Sequence, residues 1–157
     1  MNSSYIKAPQ PVYYQGLRLE SGCDLASVRK AAHFARAWLA AQQVDEAELG
    51  AWELVLVEAG NNAVKYALET ARALPVVFDL SIAENNIEAR ITDHTAGFDF
   101  PDQVDLPDRE SESGRGLFLI KSLTDQALYF KGGSQNQLVL WKRRTATAIS
   151  GAPTVFE

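Results

Sequence analysis

Apolar residues first alternate along the chain and then recur at helical spacing. Residues 12–20 place Leu17 and Leu19 on one face and predict a first strand. From 25 to 42, Leu25, Val28, Ala32, Ala35, Trp38 and Leu39 recur every three or four residues, as on a core-facing helix. Residues 21–24 supply turn and N-cap chemistry ahead of it. Asp45 and Glu48 then have capping-box spacing, and Leu49, Trp52, Leu56, Ala59, Ala63 and Tyr66 follow on one helical face. Leu54, Val55 and Val57 point elsewhere, so this second helix is apolar nearly all round and is expected to be central. Glu58, Asn61, Asn62 and Lys65 in its second half are costly there unless something satisfies them.

Two alternating runs, 76–83 and 87–93, flank Asn85-Asn86 and predict an antiparallel hairpin. Residues 94–113 are acidic, contain Pro101 and Pro107 and show little periodicity, as expected of a lid or binding loop. Residues 114–123 predict a short helix entered through glycines, and 126–131 with 137–142 predict a closing hairpin around Gly132-Gly133. Residues 1–11 read as a loose lead-in and 145–157 as a frayed tail, leaving one domain over 12–144. This order predicts an α+β two-layer sandwich: a mixed, mostly antiparallel sheet covered on one face by helices.

A length of 157 residues suits a single core. The balance of 15 Lys+Arg against 20 Asp+Glu gives a net charge of −5, which argues against a surface built for nucleic acid or an anionic membrane. Much of that acidity sits in 99–112. Cys23 is alone and can form neither an internal disulfide nor a multi-thiol metal site. No apolar run approaches the roughly 20 residues that span a bilayer. The expectation is a soluble, cytoplasmic protein.

Three places along the chain have residues suited to chemistry. Glu58 and Asn62, at i and i+4, project a carboxylate and an amide from one helix face. That pair suits a base beside a Mg²⁺ ligand, since Mg²⁺ takes oxygen donors, most of them from phosphates and water. A merely exposed polar patch would show the same spacing. Asp93 ends a strand ahead of His94-Thr95-Ala96-Gly97. There it can accept from an exocyclic amine such as adenine's while Gly97 lets backbone approach a flat ring, or it can simply end the strand in a turn. Ser113-Gly114-Arg115-Gly116-Leu117 opens a helix whose exposed N–H groups could hold phosphate, Arg115 assisting, or could serve only as a hinge. No Walker A sequence and no G-x-G-x-x-G after the first strand is present. His33 reads as a surface histidine, and Trp38, Trp52 and Trp141 as core before contact.

The order of these motifs resembles the ATP-binding (Bergerat-type) domain shared by gyrase, Hsp90, histidine kinases and MutL. Residues 58–66, EAGNNAVKY, look like its N-box. Residues 93–97 look like its first glycine box, and 114–120, GRGLFLI, like its second. At this length, with E-x-x-x-N-x-x-x-Y spacing, the chain is similar to the anti-sigma-factor serine kinases of bacterial partner switching. The resemblance implies ATP and Mg²⁺ as cofactors, with Glu58 activating the acceptor hydroxyl and Asn62 holding Mg²⁺. Asp93 and Gly97 would then meet adenine, while Gly114, Arg115, Gly116 and Leu117 hold phosphates under an acidic lid. It further implies a homodimer, a sigma factor as partner and a serine of an antagonist protein as substrate. In one respect the chain departs from the family: Thr95 stands where D-x-G-x-G has its first glycine. A β-branched residue takes positive φ poorly, so the loop is expected to differ, and a partner-binding switch without phosphotransfer is the alternative.

Overall fold

A computed structural model describes residues 13–98, 100 and 114–144. In chain order these form β1 (Tyr13–Ser21), α1 (Leu25–Ala41), α2 (Glu46–Lys65), β2 (Val76–Ala83), β3 (Asn86–Asp93), α3 (Arg115–Leu123), β4 (Gln126–Lys131) and β5 (Asn136–Arg143). A single 3₁₀ turn, Glu69–Ala71, follows α2. The lead-in, the tail and, apart from Phe100, the acidic segment 99–112 lie outside the described residues.

The strands pair in the order β1-β2-β3-β5-β4, and every described pair is antiparallel. Register explains the core. Leu19, Phe78, Ile91, Leu138 and Tyr129 face one another across the sheet in one row, and Leu17, Leu80, Ala89, Leu140 and Ala127 in the next. Period-two alternation puts both rows on one face, where they meet Val28, Leu39, Trp52, Leu56 and Ile120 of the helices. The opposite face carries ion pairs such as Arg18–Asp79 at 3.0 Å. This is the expected sandwich with helices on one side.

Asp24 caps α1 by accepting from Ser27 N at 2.8 Å. Asp45 holds the N-cap position of α2, but its side chain makes no cap hydrogen bond, so the capping box does not close. Instead Glu46 of the first turn pairs with Arg36 at 2.7 Å, tying α2 to α1. The central helix is α2, as its apolar middle implies; it packs against α1, α3, β2 and β3 and leaves one flank exposed at Leu54. Leu25, expected in the core stripe, is exposed in the first turn of α1. Among the tryptophans Trp52 is fully buried, whereas Trp38 and Trp141 are half-buried. Asn86, expected in the hairpin turn, instead starts β3 opposite Arg143. No described helix is long and apolar enough to cross a membrane.

Candidate functional site between α2 and α3

The second half of α2 runs beneath the N-terminus of α3. One helical turn separates Glu58 from Asn62, with Asn61 between them on the neighbouring side. This helix approaches its neighbours closely because residue 60 lacks a side chain. A Cβ there would stand 2.5 Å from Val28 Cγ1 and 3.0 Å from Phe78 Cζ. Across the gap Gly114 caps α3 at φ +90°, a conformation costly for residues with a Cβ. Arg115, Gly116 and Leu117 form the first turn, where N–H groups have no partner within the helix.

Between the two helices lies an open cavity of about 440 Å³ lined by Glu58, Asn61, Asn62, Gly114, Gly116 and Leu117, with Lys65 and Arg72 also on its wall. Of the residues expected to act, five come together here: Glu58, Asn62, Gly114, Gly116 and Leu117. Arg115 is exposed and is not among the lining residues. Two buried polar atoms beside the cavity, Asn61 Oδ1 and Asn62 Nδ2, have no hydrogen-bond partner among the described residues. An unmade buried hydrogen bond costs about 1–3 kcal/mol, so a polar ligand that met these two atoms would gain by it. Such an acceptor and donor, with the helix N-terminus opposite, suit a cation and phosphate oxygens held together. Among the described residues no group of three or more His, Cys, Asp or Glu side chains could hold a metal unaided. A cation held here would therefore need phosphate or water for most of its ligands.

The structure does not bring Asp93 and Gly97 into this wall. Asp93 lies buried at the end of β3. Phe98 stacks on Tyr66 (centroids 5.2 Å) and on Tyr129 (4.4 Å), and Tyr66 itself lines the cavity. Burial, and after it the Asp93 charge, pushes the Tyr129 hydroxyl above its ordinary pKa, while nearby Thr95 and the Phe98 backbone partly oppose the shift. Lys65 holds its Nζ 5.4 Å from the Tyr66 ring centroid and is exposed.

The loop accommodates Thr95 without positive φ at that residue. Gly97, at φ +87°, takes the left-handed conformation in this loop, and Thr95 does not. The threonine therefore carries no positive-φ strain, and its hydroxyl bonds Asp93 instead, at 2.8 Å. Sequence reading also passed over Asn136, which reaches the same carboxylate from β5 at 3.0 Å, 43 residues away. Nothing local marks it. Arg72 was likewise missed, since it reaches the cavity from the 3₁₀ turn after α2.

The family described as histidine kinase-like ATPase domain matches residues 23–142. No curated relative matches the sequence. Among solved structures, the chain resembles the RsbU and RsbW domains of Rv1364c from Mycobacterium tuberculosis, with a TM-score of 0.64 and 18% identity. That match covers 87% of this chain and 35% of the other, so the chain spans about a third of it. It also resembles the SiaB-SiaC complex from Pseudomonas aeruginosa, with a TM-score of 0.52, 13% identity and coverage of 81% and 89%. At these identities the likeness is one of fold.

Proposed function

The chain belongs to the histidine kinase-like ATPase domain family, and from that premise we propose that it is an ATP-dependent protein serine kinase acting as an anti-sigma factor. The observation that carries this reading is the Glu58–Asn62 pair opposite the open N-terminus of α3, where Asn62 Nδ2 and the neighbouring Asn61 Oδ1 have no partner among the described residues. The two structural relatives, the RsbU and RsbW domains of Rv1364c and the SiaB-SiaC complex, are consistent with a partner-switching role.

Mg·ATP, when bound, supplies the phosphoryl group, with the metal offsetting charge on the phosphates. Asn62 is the residue for the metal. The N–H groups at Gly114, Gly116 and Leu117 hold phosphate oxygens at the positive end of α3, where they require no reorganisation. Glu58 orients the acceptor serine and takes its hydroxyl proton, the part of a positioned carboxylate in general-base catalysis. Asp93 accepts from the adenine amine, and Gly97 gives the base room. Arg115 assists at the phosphates. The partners in this reading are a sigma factor, a second copy of the chain and an antagonist protein bearing the serine, all in the cytoplasm.

One experiment tests the assignment: Mg·ATP and the cognate antagonist are mixed with wild type, Glu58→Ala and Asn62→Ala, and phosphoserine is measured. Both variants are expected to lose transfer by about 100-fold or more. Undiminished transfer in both would show the roles to be wrong.

The second reading is a nucleotide-responsive binding module without phosphotransfer. It is favoured by the burial of Asp93, which is not among the residues lining the cavity. Calorimetry separates the two. Tight Mg·ATP binding with no turnover supports the module, and turnover removes it.

A further inference from the structure

The Asp93 carboxylate is not simply a buried acid at a strand end. Its Oδ1 accepts three hydrogen bonds: from Thr95 N at 3.0 Å, Thr95 Oγ1 at 2.8 Å and Asn136 Nδ2 at 3.0 Å. All three residues are more than nine-tenths buried. Asn136 is itself held, for Gly132 N donates to its Oδ1 at 3.2 Å while its Nδ2 also donates to Thr95 O at 2.9 Å. Thr95 Oγ1 in turn accepts from Gly97 N at 3.0 Å, so one hydroxyl ties the carboxylate to the left-handed glycine of the loop. Among the described residues nothing donates to Oδ2.

We infer that Thr95 is a positioning and specificity-determining residue for the nucleotide base. It fixes Asp93 so that Oδ2 alone is offered to a ligand, as a pure acceptor. A carboxylate oxygen offers two lone-pair sites, so three donors leave Oδ1 nothing more to accept with. The remaining oxygen matches a ring bearing an amino group and repels one bearing a carbonyl at the same place. The site therefore selects 6-aminopurine over 6-oxopurine nucleotides. Glycine at this position would keep the backbone N–H bond but lose the hydroxyl's bond to Oδ1 and its link to Gly97. The carboxylate would then turn more freely and discriminate less. The left-handed conformation falls at Gly97, which leaves position 95 open to a β-branched residue.

This inference rests on the ATP-binding reading, and the test keeps the two apart. Affinities of the full chain for Mg·ATP and Mg·ITP are measured by calorimetry in wild type, Thr95→Ser, Thr95→Val and Thr95→Gly, with thermal unfolding of each unliganded protein. Wild type is expected to prefer ATP. Thr95→Ser should keep the ATP/ITP ratio within about two-fold, while Thr95→Val and Thr95→Gly lower it by about ten-fold, the weight of one hydrogen bond to a charged group. If Val or Gly weakens both nucleotides equally and leaves the ratio unchanged, Thr95 is a structural residue only and the inference is overturned. Should Thr95→Val fail to fold, Thr95→Gly decides alone, since it removes the same hydroxyl without adding an apolar group. If wild type binds neither nucleotide, the ATP reading fails and takes this inference with it.

Discussion

Gly116 lies so near Glu58 that a Cβ on residue 116 would stand 2.7 Å from Glu58 Oε2. The atom in the way is the tip of a flexible side chain, not backbone. Gly116→Ala should therefore fold, and helix propensity favours it by up to about 1 kcal/mol. What it changes is the place of the carboxylate. Phosphotransfer is expected to fall by about ten-fold or more while thermal stability holds or rises, measured as initial rates beside calorimetric melts. A loss of stability without a loss of rate would contradict this.

Gly60 gives the opposite outcome. Its missing Cβ is the space taken by Val28 Cγ1 and Phe78 Cζ, both fixed in the core. Gly60→Ala should push α2 off α1 and β2 and cost about 1–3 kcal/mol, whatever it gains in propensity. Urea denaturation at constant m-value reads the change.

The stack of Phe98 between Tyr66 and Tyr129 links the end of α2 to β4. Removing the middle ring with Phe98→Ala loses two ring contacts, each worth about 0.5–1.5 kcal/mol beyond area. The expected result is a lower melting temperature together with faster amide exchange at Thr95 and Gly97. Unchanged exchange there would show that the loop is held by its hydrogen bonds alone.

Arg36 bridges Glu53 and Glu46, each at 2.7 Å, and its hydrogen bond holds the Glu53 carboxyl below the ordinary glutamate value of 4.5. A folded-state pKa depressed below the unfolded one gives stability that is complete above 4.5 and lost as pH falls through the lower folded value. Glu53→Gln should cost about 0.5 kcal/mol at pH 7, as for a partly exposed pair. The two proteins should converge below that folded value, and a gap persisting at low pH would exclude the carboxylate as its source.

How much of this was legible in the chain depends on sequence distance. Along α2, the i, i+4 rule alone puts Glu58 and Asn62 on one face, and the Gly114–Gly116 entry to α3 is equally local. Strand alternation likewise marks Phe78, Leu80, Ile91 and Leu138 as core before any pairing is known. Local pattern also erred where neighbours intervene: Asp45 makes no capping bond, Asn86 belongs to a strand, and Leu25 faces the cavity.

The sequence by itself determined the elements, the core face of each strand and the helical pair at the site, because those follow from periods of two and 3.6 residues. Only the tertiary structure decided what Thr95 does, since a backbone angle and a hydrogen bond cannot be read from residue type. It alone brought Asn136 to Asp93, because pairing of β3 with β5 makes neighbours of residues 43 apart. It also stacked Phe98 on Tyr66 and Tyr129 and left Asp93 out of the cavity wall, because those residues come together only from distant segments.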